Sequence, residues 1–262
     1  MMDILEKIVV DKKRELHLKK TVIPLKQLEA SLLFQREPVS LANALRKSKT
    51  GIIAEHKRRS PSKSVINQNS SVQDIAIGYM NAGACGMSVL TDAKYFGGSL
   101  DDLIIARAAV DFPLLRKEFI IDEYQIIETR AYGADTILLI AAILTRKQIK
   151  VLSELAKSLG LDVLLEVHNE EELVKSMMSS LDMLGVNNRN LKTFEVNLET
   201  SAALSQQIPD EFVKVSESGI SSVSAINTLR EFGYKGFLVG ENFMKTSNPG
   251  ESARQFIKQM TK

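Results

Sequence analysis

Carboxylate and ammonium side chains follow the apolar runs of this sequence at recurring points, and these groups could carry acid–base chemistry. The run Ile52–Ala54 breaks into Glu55, His56 and Lys57. Because side chains alternate along a strand, Glu55 and Lys57 would share one face, and His56 would point toward the opposite one. An ammonium group beside a carboxylate can shift its pKa far enough to give an acid and a base near neutral pH.

The same alternation brings further functional groups to the ends of other apolar runs. The residues found at these ends are Lys117, Glu166, Asn187, Arg189, Glu217, Gly240 and Glu241. A single charged residue at a strand end is most simply the point where the chain reaches water. Several such ends together predict one pocket into which lysines and glutamates converge.

The elements that would position these residues repeat a pattern of a short apolar run followed by a helical segment. The apolar runs start near residues 52, 86, 113, 135, 162, 182, 212 and 236. Strand-then-helix units imply parallel pairing. Eight such units in roughly 210 residues predict an α/β fold, a single (β/α)₈ TIM barrel with its active site at the carboxyl ends of the strands. Residues 1–47 would form an N-terminal helical extension that packs on an end of the barrel catalytic domain, residues 48–262.

Composition narrows the class of protein. The net charge of +2 gives no basic field for nucleic acid, and the longest apolar run, residues 137–144, is too short to span a bilayer. The first residues are amphipathic and charged, unlike a secretory signal, so we expect a cytoplasmic location. The single cysteine excludes a disulfide framework within the chain, and no histidine pair has metal-ligand spacing, so no metal is predicted. His168 is expected to be a solvated loop residue.

Glycines follow the last two predicted strands, in the stretches around Gly219 and Gly240. Backbone N–H groups at such turns can approach a phosphate closely, and a following helix adds a favourable dipole. Barrels of this class often bind phosphate in the loops after strands seven and eight. The two glycines together predict a sugar-phosphate ligand.

Eight segments of the chain resemble one known family, indole-3-glycerol-phosphate synthase. The motifs that carry the resemblance are A-E-x-K-x-x-S-P-S from Ala54, F-G-G-S-L from Phe96, L-R-K-x-F-I-I-D from Leu115 and N-N-R-N-L from Asn187. The resemblance implies a cofactor-free, decarboxylating ring closure of 1-(2-carboxyphenylamino)-1-deoxyribulose 5-phosphate, a sugar phosphate with an anthranilate ring. The products would be indole-3-glycerol phosphate, CO₂ and water.

The resemblance also implies roles for individual residues. Lys117 matches the general acid, Glu166 the carboxylate that takes a proton or stabilises a cationic nitrogen, and Lys57 a second lysine with an acid role. The residues that match positions holding these groups in place are Glu55, Asn187 and Glu217. Those that match substrate contacts are Ser60 and Arg189 for the anthranilate carboxylate and phosphate, Phe96 and Leu138 for the ring, and Ser218, Gly219 and Gly240 for the phosphate.

Three residues depart from the family pattern: His56 replaces an apolar residue, Ser64 a frequent glycine, and Glu241 a serine found in some members. Glu241 is therefore not assigned as a ligand. One alternative is another phosphate-binding barrel of the pathway, resembling phosphoribosylanthranilate isomerase, although Cys85 precedes its strand, whereas that enzyme needs a cysteine at a strand end. The other alternative is a non-catalytic phosphate-binding scaffold barrel. We expect a monomer that can contact other enzymes of the pathway, with no nucleic acid or membrane partner.

Overall fold

The computed structural model describes residues 3–61, 63–68, 70–191 and 193–261. Its eight parallel strands pair in chain order, and β8 returns to β1, so that the sheet closes into a barrel. The strands are β1 Ile52–His56, β2 Gly86–Leu90, β3 Leu114–Lys117, β4 Thr136–Ile140, β5 Asp162–Val167, β6 Met183–Asn187, β7 Val213–Glu217 and β8 Gly236–Val239. The predicted (β/α)₈ fold is confirmed, and each strand begins within one residue of its predicted start.

Helices alternate with the strands. Those before β1 are α1 Ile4–Val22, α2 Leu25–Glu29 and α3 Leu41–Lys47, with a 3₁₀ turn at Leu32–Gln35. Those that follow are α4 Val72–Asn81, α5 Ala93–Phe96, α6 Leu100–Ala109, α7 Glu123–Ala131, α8 Arg146–Ser158, α9 Glu170–Ser176, α10 Glu199–Ser205, α11 Val223–Glu231, α12 Glu241–Met244 and α13 Pro249–Met260, with a 3₁₀ turn at Ala141–Ile143. Side-chain caps begin many of them, such as the reciprocal Asp3–Glu6 capping box of α1.

Side chains alternate between the barrel interior and the helix layer along each strand. Ile53 and Leu115 belong to the interior cluster, whereas their neighbours Ala54 and Leu114 pack with the helices. This alternation carries the in-phase strand-end residues toward the barrel axis and sends His56 outward. The parity argument made from the sequence therefore holds on these strands.

The N-terminal extension packs on both ends of the barrel rather than on one. From α3, Leu41 and Leu45 join the interior cluster at the amino ends of the strands, beside Gly86 and Gly236. From α1, Ile8 joins the same cluster at the carboxyl ends. The extension thus completes the core at two places. The division at residues 47 and 48 stays a prediction about folding units.

A sealed group of charges anchors α1 to the barrel, and we call it the anchor cluster: Lys12, Asp92, Arg116, Glu118 and Glu128. Lys12 Nζ lies 3.1 Å from both Asp92 Oδ2 and Glu118 Oε1. Arg116 Nη2 lies 2.7 Å from Glu128 Oε2. These five side chains are only 1–3% exposed. Such complete pairing offsets the cost of removing their charges from water.

In the part of the chain that the structure describes, every helix is too short or too polar to cross a membrane.

Candidate active site

A cavity of 380 Å³ opens at the carboxyl ends of the strands, and we call it the mouth cavity. Four of the charged side chains that line it form one group with a fifth, Glu217, which contacts Lys117. We call the five the mouth cluster: Glu55, Lys57, Lys117, Glu166 and Glu217. Lys57 Nζ lies 2.5 Å from Glu55 Oε1. Lys117 Nζ lies 3.4 Å from Glu55 Oε2 and 2.8 Å from Glu217 Oε2. Glu166 also lines the cavity, so these charges act on one another across a small volume.

The mouth cluster fixes the protonation of its members. Burial raises the pKa of Glu55, but Lys57 and Lys117 outweigh it and lower that pKa to about 2. Burial raises the pKa of Glu217 to about 7, because the opposing charge of Lys117 is offset by Glu166 and Glu55. Burial works against charge on Lys117, yet the glutamates, Glu217 first, raise its pKa above the ordinary value. At neutral pH, Lys117 is therefore protonated and Glu217 can gain or lose a proton.

Two glycines make room for the buried carboxylates. A Cβ atom on Gly240 would overlap Glu55 Oε1, and one on Gly185 would overlap Glu217 Oε1. Gly240 was predicted only as part of a phosphate cradle, and Gly185 was not singled out from the sequence. A glycine inside a strand often marks such a close approach, and that is the signal that could have found Gly185.

Apolar side chains form one wall of the mouth cavity. The predicted ring contacts Phe96 and Leu138 both line it, and Phe96 packs on Phe119 with ring centroids 5.9 Å apart. The extension adds Ile4, Leu5 and Ile8 of α1. The reach of α1 to the cavity could not be predicted, because an amphipathic helix does not reveal in its sequence which surface it covers.

The cavity is also lined by groups that can bind anions. Ser60, Arg189, Ser218, Gly219 and Gly240 all line it, as predicted from the sequence. Ser218 and Gly219 both have left-handed backbone conformations, with φ of 67° and 78°. The side chain of Asn188, which was not predicted, donates hydrogen bonds to the carbonyl oxygens of Glu217 and Ser218, at 2.9 and 3.2 Å. Asn188 thereby holds the turn after β7 in place.

Thus twelve of the thirteen predicted site residues line the mouth cavity, Asn187 among them, and Glu217 lies directly behind Lys117. Ser62 of the S-P-S motif lies outside the described residues. Glu241 borders the cavity but pairs with Lys63, with 2.6 Å between Nζ and Oε1.

The predictions for the two histidines near the strand ends had different outcomes. His56 is 1% exposed in the helix layer, as its parity predicted, and burial together with Arg58 lowers its pKa to about 4. The prediction that His168 is solvated was wrong. Its side chain is only 12% exposed and lies between Glu166 and Glu172. The residue number alone could not show that the loop after β5 folds back over the strand end.

A parallel barrel with ammonium and carboxylate groups around a cavity at its strand ends defines a class of enzymes that use acid–base chemistry on a small molecule. A sequence model of one family, described as indole-3-glycerol phosphate synthase, matches residues 5–257. The chain belongs to this family. It is therefore a decarboxylating lyase of tryptophan biosynthesis, whose substrate is a sugar phosphate with an anthranilate ring.

Curated relatives carry the same description over nearly their whole length. The protein of Bacteroides thetaiotaomicron is 48% identical, with 98% of this chain and 99% of that protein covered. The protein of Chromobacterium violaceum is 44% identical, with 99% of this chain and 100% of that protein covered.

Solved structures show the same barrel at low sequence identity. The tryptophan synthase α subunit of Legionella pneumophila gives a TM-score of 0.59 at 13% identity, over 84% of this chain and 96% of that chain. A structure of KGPDC from Streptococcus mutans gives 0.60 at 13% identity, over 80% of this chain and 98% of that chain. At this identity the likeness concerns the fold alone.

Proposed function

We propose that the indole ring is closed in the mouth cavity with Lys117 as the general acid. The substrate would be 1-(2-carboxyphenylamino)-1-deoxyribulose 5-phosphate, bound with its ketone oxygen toward the Lys117 ammonium. The observation that carries this proposal is the double contact of Lys117 Nζ, at 2.8 Å from Glu217 and 3.4 Å from Glu55. These contacts aim the ammonium into the cavity and keep it protonated.

Ring closure needs such an acid because the aromatic carbon that attacks is a weak nucleophile. A hydrogen bond from Lys117 to the ketone oxygen, followed by proton transfer, makes the carbonyl carbon more electrophilic. Loss of CO₂ then restores the aromatic ring and leaves a hydroxyl group on the new five-membered ring. Glu217, with its pKa near 7, can return a proton to Lys117 after transfer.

Loss of water requires a second acid and a base. We assign Lys57 to protonate the leaving hydroxyl and Glu166 to take the proton from the carbon beside nitrogen. Glu55 would hold Lys57 through their 2.5 Å contact. Asn187 would help to hold these groups in place from the end of β6. Its Oδ1 accepts a hydrogen bond from the backbone N–H of Arg189 at 3.0 Å.

The remaining predicted residues would bind the two ends of the substrate. Phe96 and Leu138 would contact the anthranilate ring, and the apolar wall would strengthen each nearby charge by lowering the local dielectric. Ser60 and Arg189 would bind the carboxylate or the phosphate. The turn at Ser218 and Gly219, together with Gly240, would cradle the phosphate. A flexible substrate held in a folded shape in this way reacts faster.

The cellular context is part of the same proposal. A substrate with phosphate and carboxylate charges does not cross lipid readily, so its enzyme is expected in the cytoplasm where the substrate is made. We also expect a monomer, because the mouth cavity draws its predicted side chains from one chain. Gel filtration with light scattering tests this expectation, and a stable dimer would contradict it.

The direct test uses the purified protein and the synthetic substrate without added metal or cofactor. We expect one indole product and one CO₂ for each substrate molecule. The fluorescence of the indole product monitors the reaction. The protein has no tryptophan, so its own fluorescence in this range is low. A folded protein that forms no indole, under conditions in which a known member of the family does, would overturn the proposal.

A further inference from the structure

His168 lies at the boundary between the mouth cavity and a second cavity. This side cavity has a volume of 1020 Å³ and lies between the start of α1 and the loops after β5 and β6. His168 and Glu172 line the side cavity, whereas Glu166 lines the mouth cavity. His168 Nε2 lies 3.4 Å from Glu166 Oε1, so the imidazole bridges the two spaces.

The orientation of the imidazole is fixed from the first turn of α9. Glu172 Oε2 accepts a hydrogen bond from the His168 backbone N–H at 2.8 Å and lies 3.1 Å from Nδ1. The cap residue Asn169 binds both the backbone and the side chain of Glu172, at 2.9 and 3.2 Å. Because a carboxylate only accepts hydrogen bonds, Nδ1 carries the hydrogen, and Nε2 is the nitrogen turned toward Glu166.

This arrangement favours one proton between His168 and Glu166. A neutral imidazole would place the Nε2 lone pair against the Glu166 carboxylate, and among the described residues Nε2 has no hydrogen-bond partner. A proton on either group removes this repulsion. Burial opposes charge on His168, but the contact with Glu172 and the charges of Glu166 and Glu217 raise its pKa above the ordinary 6.5.

The reaction needs Glu166 as a carboxylate held in one orientation. Formation of the hydroxyl and its departure as water consume two protons, and the carbon beside nitrogen releases one, so each turnover takes up one proton overall. Glu166 receives the released proton while substrate fills the mouth cavity. It must lose that proton again before the next turnover.

We propose that His168 is a positioning residue that orients the Glu166 carboxylate, an inference that rests on the proposed function. The proton between the two groups sits on Nε2, whose N–H points at Glu166 Oε1. The other carboxylate oxygen then takes the proton as the C–H bond of the carbon beside nitrogen breaks. That proton passes on to Lys57, which gave its own to the leaving hydroxyl, so Glu166 is a carboxylate again for the next turnover.

The test compares His168→Gln with the matched control His17→Gln, which changes an exposed histidine of α1. Circular dichroism and urea unfolding first establish that each variant is folded. We expect His168→Gln to lower kcat at least about tenfold with KM within about twofold, since it slows proton transfer rather than binding. Added imidazole should restore part of the activity, and His17→Gln should match the wild type.

The pH profile separates the effect of the His168 charge on Glu166 from a purely structural effect. The charged groups around His168 are Glu166, Glu172 and Glu217, with Asp3, Glu6, Arg189 and Glu195 across the side cavity. We expect the kcat profile of His168→Gln to lose an ionisation that lies above pH 6.5 in the wild type. An unchanged kcat, or a loss that imidazole does not restore with an unchanged profile, would overturn the inference.

If His168→Gln fails to fold, Glu172→Gln takes its place. Loss of the Glu172 charge lowers the pKa of His168, so the same ionisation should move to lower pH. An unmoved profile would refute the inference. Failure of the proposed function is distinguishable, because in that case the wild-type protein itself forms no indole. A fully active wild type beside an equally active His168→Gln removes only the role of His168.

Discussion

Arg116, Lys117 and Glu118 are consecutive, yet they serve two different clusters of buried charge. Lys117 points into the barrel and belongs to the mouth cluster, whereas its two neighbours belong to the anchor cluster that holds α1. Burial does not distinguish the two clusters. Each surrounds a buried lysine whose pKa is raised by the nearby carboxylates. The difference lies in how completely the polar atoms are satisfied and in what they face.

The anchor cluster is closed on itself. Arg116 donates to Thr91, Gln125, Thr129 and Glu128 at 2.7–3.1 Å, and Glu118 accepts from Thr91 and the backbone N–H of Phe119. In the mouth cluster, by contrast, both lysines are 18% exposed, and Glu217 Oε1 has no hydrogen-bond partner within the described residues. Incomplete pairing beside a cavity, rather than buried charge, is what marks the site of chemistry.

The strongest test of this difference is Lys117→Ala. Loss of a general acid should lower kcat by about 10²–10⁴-fold. The free energy of unfolding should change little, because Glu217, with its pKa of about 7, can take up a proton and Glu55 keeps its contact with Lys57. The rate of indole formation gives kcat, and urea titrations give the free energy of unfolding. A variant with wild-type turnover would remove Lys117 as the acid.

Glu166→Gln should have the next largest effect. The amide keeps the shape and the hydrogen-bonding capacity of the side chain but cannot take a proton, so kcat should fall by about 10²-fold or more. KM should change much less. A rise in KM at constant kcat would instead assign Glu166 to substrate binding alone.

Lys12→Met should have the opposite pattern, with a large change in the free energy of unfolding and a small change in kcat. It leaves Asp92 and Glu118 buried without their shared cation, which should lower the free energy of unfolding by about 3–5 kcal/mol. The kcat of the folded fraction should stay within a few-fold of the wild type, because Lys12 pairs with Glu15, Asp92 and Glu118 and with no side chain of the mouth cluster. A variant that is stable but inactive would erase the distinction between the clusters.

His56→Leu tests the burial of an ionisable side chain that lies outside both clusters. Its effect on the free energy of unfolding should be the smallest of the four, and it should grow as the pH falls. The folded state keeps the pKa of His56 at about 4, below the ordinary 6.5, so the unfolded chain binds a proton first as the pH falls. The His56 contribution to the free energy of unfolding of the wild type is therefore lost as the pH falls from 6.5 to about 4. Leucine removes this loss.

The measurement for His56→Leu is the difference in unfolding free energy between variant and wild type. Between pH 7 and pH 4.5 this difference should grow by about 2–3 kcal/mol in favour of leucine. His17→Leu, at an exposed position of α1, provides the control. An equal difference at both pH values would show that packing, not protonation, separates the two proteins.

Much of the barrel and of the mouth cluster could be predicted because both follow a local period. The strand starts and the alternation of side chains predict that Glu55, Lys117 and Glu166 share one cavity. The roles of these residues stay proposals. The anchor cluster has no such period, since Lys12 and Glu118 meet only through the tertiary fold. The same reason hid the reach of α1 over the mouth cavity and the burial of His168.

The anchoring of α1 also has a consequence for the order in which a growing chain folds. Lys19 and Glu128, which pair at 3.0 Å, are 109 residues apart. At ribosomal rates of about 5–20 residues per second, α1 waits about 5–20 s for this partner. Helix α1 therefore leaves the ribosome well before it can dock, and the entrance to the cavity is finished only after the third strand and its following helix have emerged.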